Sequence, residues 1–175
     1  MVASIPLSEK IVSADVEGIA MTSNANVERI SDIIEIEQML ARYAVGMTKD
    51  DIELVVSVFT KDGWYSAFGD RYSPTDFPRL VAAAPKGLFM TGTSLIEFDG
   101  PHTADSRPSK ASGTQTLGFV DQTNQRMRIG WYTDAYERTE NGWLLATRTM
   151  TFLRKSGGHD SGRAHDPTRP EPTKL

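Results

Sequence analysis

Tyr132, Asp134 and Tyr136 alternate with Trp131, Thr133 and Ala135 in a stretch that reads as a β-strand, so the first three share one face of the pleat. A carboxylate between two phenols on one face is costly to bury without a partner or a task. Ionised, it could take a proton from a bound molecule; neutral, it could only donate a hydrogen bond. It could also pair across the hairpin with Arg148 or Arg138, a common cross-strand arrangement. Asp134→Asn is expected to abolish turnover while leaving the melting temperature nearly unchanged. Met47, Phe59, Tyr65, Phe89, Thr91, Gln115, Tyr132 and Tyr136 are the candidate substrate-binding residues, as core or pocket wall.

The other reactive types offer less. The chain has no cysteine, which removes disulfides, thiolate metal sites and a cysteine nucleophile together. His102 falls in a polar, proline-containing loop and is expected to be solvated. His159-Asp160 and His165-Asp166 lie in a Gly/Pro-rich tail without the rigid frame that a metal site needs. No metal and no cofactor are expected.

The elements that must position these residues follow from periodicity. Ile33, Ile36, Leu40, Tyr43 and Met47 recur at three- and four-residue spacing, which predicts a helix from Ser31 with Glu35, Gln38 and Arg42 off its apolar stripe. Thr48 begins a break. Asp50 and Asp51 lead into a second short helix carrying Ile52, Val55, Val56 and Phe59, with acids in the first turn where the helix dipole favours them. Strands are predicted over residues 63–68, 88–98 and 113–120, a third helix over 74–84, and a loop over 101–109. Residues 121–124 read as a turn, and a final hairpin pairs 125–138 with 143–154. Strands of that length imply a strongly curved sheet. The fold class is α+β: a cone-shaped barrel whose mixed or antiparallel sheet wraps around N-terminal helices. The chain divides into an arm at residues 1–25, one domain at 26–155 and a flexible tail at 156–175.

At 175 residues with 39% hydrophobic and 24% charged content, the chain fits a single soluble domain. No apolar run approaches the roughly 20 residues of a membrane span, and early charges interrupt any export signal, so a cytoplasmic location and no membrane partner are expected. A formal charge of −4 with scattered Lys and Arg argues against nucleic acid.

Ala41-Arg42-Tyr43, Asp50-Asp51-Ile52, the run from Val58 to Gly63, and a late Tyr-x-Asp-x-Tyr-x-Arg-x-x-x-Gly-Trp hairpin from Tyr132 to Trp143 occur in that order. This succession resembles the SnoaL-like branch of the nuclear-transport-factor-two-like superfamily, from about Ile30 to Phe152. The family includes steroid isomerases, dehydratases, a dehydrochlorinase, polyketide cyclases, small subunits of ring dioxygenases and binding proteins without chemistry. The resemblance implies that Tyr43 occupies the place of the isomerase tyrosine that donates to an enolate oxygen, and Asp134 that of a second, protonated donor, which makes Tyr43 and Asp134 the candidate catalytic pair. It implies that the isomerase base falls at Ala67. The Asp and His of dehydratase and dehydrochlorinase relatives fall at Thr48 and Phe89, and a second dehydratase histidine near Gln115. The implied activity is a cofactor-independent lyase or isomerase acting on a small, largely apolar or aromatic metabolite. The alternatives are a non-catalytic binding protein of the same fold or an accessory subunit of an oxygenase. Members usually associate through the outer sheet face, implying a homodimer or homotrimer.

Overall fold

The computed structural model describes residues 7–67, 70–103, 105–153 and 159–160, with side chains described for 24–67, 70–82, 84–103 and 105–153. A long helix, α1 (Leu7–Lys49), is followed by α2 (Ile52–Ser57), β1 (Phe59–Ala67), β2 (Asp70–Tyr72) and α3 (Phe77–Ala83). Four long strands complete the body: β3 (Gly87–Phe98), β4 (Lys110–Asp121), β5 (Met127–Thr139) and β6 (Gly142–Leu153), with a two-residue β7 (His159–Asp160) against the end of β6. The sheet runs β2-β1-β6-β5-β4-β3, antiparallel throughout except for the parallel β1–β6 pair. It curves without closing, and the helices line its inner face, giving the expected α+β cone. No helix among the described residues is long and apolar enough to cross a membrane.

The stripe predicted on α1 faces the sheet. Ile36, Met39, Leu40 and Tyr43 are buried, while Gln38 and Arg42 lie off the stripe and Arg42 is exposed. Each fully buried apolar side chain of this kind contributes roughly 1.5–3 kcal/mol. The helix ends where the sequence breaks: Asp50 takes a left-handed φ of 61°, and Asp51 caps α2 by accepting from the Leu54 N–H at 3.0 Å. At Gly46 an added Cβ would come within 2.8 Å of Val55 Cγ2, so the missing side chain lets α1 and α2 approach closely.

The boundaries differ from expectation in instructive places. Helix α1 begins at Leu7, within the segment read as an arm. The second helix is shorter than expected because Phe59 already belongs to β1, which starts ahead of the predicted residue 63. Helix α3 starts after Pro74 because Asp76 Oδ2 accepts from the Ser73 hydroxyl at 2.7 Å, holding residues 73–76 in a turn. The short β2 and the parallel β1–β6 pairing carry no local sequence signal. The predicted tail lies outside the described residues except for His159 and Asp160.

Two bulges decide which side chains enter the cone. Across β5 and β6, Ala135 faces Thr147 but Tyr136 faces Leu145, leaving Ala146 as the extra residue. Across β3 and β4, Thr91 faces Leu117 and Ser94 faces Gln115, so β3 carries an extra residue beside Gly92.

Candidate functional site

Strict alternation from Trp143 and Leu145 would place Thr147 inside and Arg148 outside. The extra residue at Ala146 reverses the phase, and Arg148 becomes fully buried. On the neighbouring strand Tyr132, Asp134 and Tyr136 are also buried, as the alternation on β5 requires. Asp134 stands directly opposite Arg148 in the β5–β6 register.

The two form a bidentate ion pair. Arg148 Nε donates to Asp134 Oδ1 at 2.9 Å and Nη2 to Oδ2 at 2.8 Å, the fork geometry that suits a guanidinium and a carboxylate. Nη2 also donates to Gln115 Oε1 at 2.8 Å, and Gln115 Nε2 donates to the Gly92 carbonyl at 2.9 Å. The Tyr136 hydroxyl donates to Asp134 Oδ2 at 3.1 Å, with Ser94 Oγ 3.5 Å from that hydroxyl. The guanidinium stacks 3.8 Å from the Tyr132 ring centroid and 4.5 Å from that of Tyr43. Within this centre Arg148 Nη1 has no partner in hydrogen-bond geometry, while the Tyr132 hydroxyl interacts with that of Tyr43. Unpaired donors of this kind are rare inside proteins and call for an explanation.

Electrostatics fix the proton inventory. Burial pushes the Tyr43 phenol up to about 12 against the opposing pull of Arg148. Burial likewise drives Tyr65 and Tyr132 well above the ordinary phenol value, and burial with the Asp134 charge raises Tyr136. Burial alone would lower Arg148, but the charge and hydrogen bonds of Asp134 more than offset it and hold the guanidinium above its ordinary value. The cone thus contains a cation, its carboxylate and phenols that keep their protons at neutral pH. Those phenols can donate hydrogen bonds but cannot serve as bases.

The predicted site residues separate into groups. Tyr43, Gln115, Tyr132, Asp134 and Tyr136 converge on Arg148, which the sequence reading treated only as a possible partner of Asp134. Asp134 does not stand ready as a free base or neutral donor, since both its oxygens are engaged. Phe59 packs edge-on to Tyr43 with centroids 6.1 Å apart and against Phe77 at 5.1 Å. Tyr65 lies 5.6 Å from Phe77, and its hydroxyl reaches Met150 Sδ at 3.5 Å. Met47 and Phe89 pack at the margin of the core. Thr91 is half-buried just before the β3 bulge.

The Phe89 N–H donates to Thr48 Oγ1 at 3.1 Å. The two positions that the family resemblance matched to an acid and a histidine are therefore adjacent in space. Here they hold a backbone-bound hydroxyl and a phenyl ring, neither able to take a proton.

A second polar centre lies at the α1, β5 and loop junction, and the sequence reading missed it. Asp32 is fully buried on α1. It accepts from Arg138, from Arg107 at 2.6 Å and from His102 Nε2, assigned as donor, at 2.8 Å. Burial raises its carboxyl, but Arg138, then His102, Trp143 and Arg107, hold it well below the carboxylate range. His102 is thus not the solvated loop residue expected: its side chain is 4% exposed and meets Phe98 edge-on at 4.6 Å. Arg138 stacks 4.6 Å from the Trp143 ring centroid. The one sequence signal was Asp32 beside Ile33 and Ile36 on a stripe that should have been apolar.

A SnoaL-like domain model matches residues 28–149. An uncharacterized protein of Mycobacterium tuberculosis is 28% identical over 137 residues, spanning 74% of this chain and 90% of its own length. Among solved structures, an NTF2-like protein with a cystatin-like fold from Novosphingobium aromaticivorans superposes with a TM-score of 0.61 at 17% identity, covering 71% of this chain and 84% of its own. A hexachlorocyclohexane dehydrochlorinase, LinA-type3 from Novosphingobium barchaimii, gives a TM-score of 0.60 at 15% identity over 81% of this chain and 99% of its own. At those identities the structural likeness speaks for the fold, and the domain match speaks for descent. This chain belongs to the SnoaL-like family.

Proposed function

We propose that this protein is a cofactor-independent lyase or isomerase, dehydratase- or eliminase-like, that binds a small, largely apolar or aromatic metabolite inside the cone. Arg148 presents the hydrogen-bond donor to an oxygen on which negative charge develops. The observation that carries this reading is the buried Arg148, clamped on one edge by Asp134 and Gln115 with Nη1 unpaired. Donors fixed in a dry interior act strongly on charge that appears only in the transition state. Tyr43 and the aromatic wall of Phe59, Tyr65 and Tyr132 suit a flat ligand. Because the Arg148–Asp134 pair is neutral as a unit, an uncharged carbonyl or phenol enters without bringing an uncompensated charge.

The ionisation of bound 4-nitrophenol, followed by absorbance, tests this. The protein is expected to lower the phenol's ionisation midpoint by about one pH unit. The double substitution Asp134→Leu with Arg148→Met removes both charges together, which buried pairs tolerate, and is expected to stay folded and lose the shift. Binding with no shift in the parent protein would sink the oxyanion role and favour the non-catalytic reading, which the Thr48–Phe89 contact supports.

We also propose a homodimer or homotrimer formed through the outer sheet face. Leu88, Met90, Met127, Ile129 and Leu153 are each more than two-fifths exposed there, and the register aligns Met90, Gly118 and Ile129 in one row across three strands, with Leu153 next to the Gly130–Phe152 pair. A charge in that row disfavours its burial. Ile129→Lys is expected to convert the protein to monomer by light scattering. An unchanged mass would refute this interface, and obligate co-purification with a larger chain would favour the accessory-subunit reading.

A further inference from the structure

We infer that Gln115 is the positioning residue of this centre: it fixes the Arg148 guanidinium so that Nη1 is the edge left for a ligand oxygen, and it keeps the centre neutral. The inference rests on the proposed role of Arg148. A guanidinium has five N–H groups, one on Nε and two on each terminal nitrogen. Here Nε–H goes to Asp134 Oδ1, and Nη2 serves Asp134 Oδ2 and Gln115 Oε1. Three of the five are thereby engaged, and both N–H groups of Nη1 remain. Without the Gln115 acceptor, an N–H of Nη2 would also be free, and the Asp134 clamp alone would hold the cation.

The amide is held in one sense. Gly92 lies in the interrupted stretch of the β3–β4 register, and its carbonyl can only accept. Gln115 Nε2 must therefore face Gly92, which turns Oε1 to Arg148; the partners, rather than visible hydrogens, make this assignment. Gln115 is 1% exposed, so water does not replace either bond. The β3 bulge thus sets the amide, and the amide sets the cation. The groups packed around the centre are Asp134, Tyr132 and Tyr136 from β5, Tyr43 from α1, Tyr65 from β1, Arg148 from β6, and the Ser94 hydroxyl and Gly92 carbonyl from β3, with Glu37 of α1 further out on the Ser94 N–H. Asp134 is the one carboxylate bonded to the cation, and a second in contact with it would leave the group net negative.

Gln115→Glu adds that second charge in nearly the same volume and sets an oxygen against the Gly92 carbonyl. Gln115→Met keeps the volume and removes both hydrogen bonds. With 4-nitrophenol as probe, Gln115→Glu is expected to raise the bound ionisation midpoint by about one pH unit relative to the parent, and to weaken phenolate binding roughly tenfold. Gln115→Met is expected to weaken binding of the phenol and phenolate forms alike, with a smaller change in midpoint. If the parent lowers the midpoint and both variants match it, Gln115 does not position Arg148. If the parent itself shows no shift, the Arg148 reading falls first. A Gln115→Met chain that fails to fold overturns the inference as well, since the residue would then be holding the sheet rather than the cation.

Discussion

Asp134→Asn is expected to lower the free energy of unfolding by roughly 3–5 kcal/mol, because it strands a buried guanidinium without its counter-charge. The substituted amide would retain one acceptor oxygen, but its nitrogen would face either Arg148 Nε or both Arg148 Nη2 and the Tyr136 hydroxyl, all of them donors to Asp134. In a domain of this size the change corresponds to a fall in melting temperature on the order of 10 °C. The sequence alone suggested an unaltered melting temperature, and the bidentate contact reverses that expectation. Thermal and denaturant unfolding of the single variant, set beside the Asp134→Leu, Arg148→Met double variant, completes the comparison. The double change is expected to recover most of the loss, since it removes the stranded charge. A single variant as stable as the parent would show that the pair makes no net contribution.

Asp32→Asn is expected to cost about 2–4 kcal/mol at neutral pH, as Arg138 and Arg107 lose a shared anion that is fully buried. Arg107 is 41% exposed and contributes the smaller share, because water screens it. The pH dependence has a definite sign. The Asp32 carboxyl is depressed in the folded state, so its contribution is complete above the ordinary carboxylate value near 4. It is lost progressively as the pH falls from there toward the folded-state value. Denaturant unfolding at pH 7 and pH 3 is therefore expected to show a smaller acid-induced loss in the variant than in the parent. Equal losses would mean that other carboxylates dominate acid unfolding.

The order of helices and long strands, the inner stripe of α1 and the inward facing of Tyr132, Asp134 and Tyr136 were legible, because each follows from a local period. Arg148 was not. Its burial depends on the extra residue at Ala146, and a bulge flips every later side chain without leaving a mark in the hydrophobic pattern. Asp32 and His102 escaped for a different reason. They meet across 70 residues, and each looked ordinary in its own neighbourhood, a polar helix residue and a loop histidine. The candidate pair of Tyr43 and Asp134 does meet at one centre, but the cation between them changes what each can do. Thr48 and Phe89, the positions that the resemblance matched to relatives' acid and histidine, lie side by side, joined by a hydrogen bond.

The parallel β1–β6 pair has a consequence for how the molecule is made. Its strands pair residues far apart in the chain, as Tyr65 with Arg148, so β1 waits for the last long strand before its inward edge is paired. During synthesis the apolar side of α1 and the ring of Tyr65 emerge long before the partner that covers them. Such distant pairing slows folding relative to a chain of local hairpins and leaves sticky surface uncovered in the interval. The β3–β6 meander can assemble from neighbours alone, which makes β1 the late arrival that completes the shell around the guanidinium.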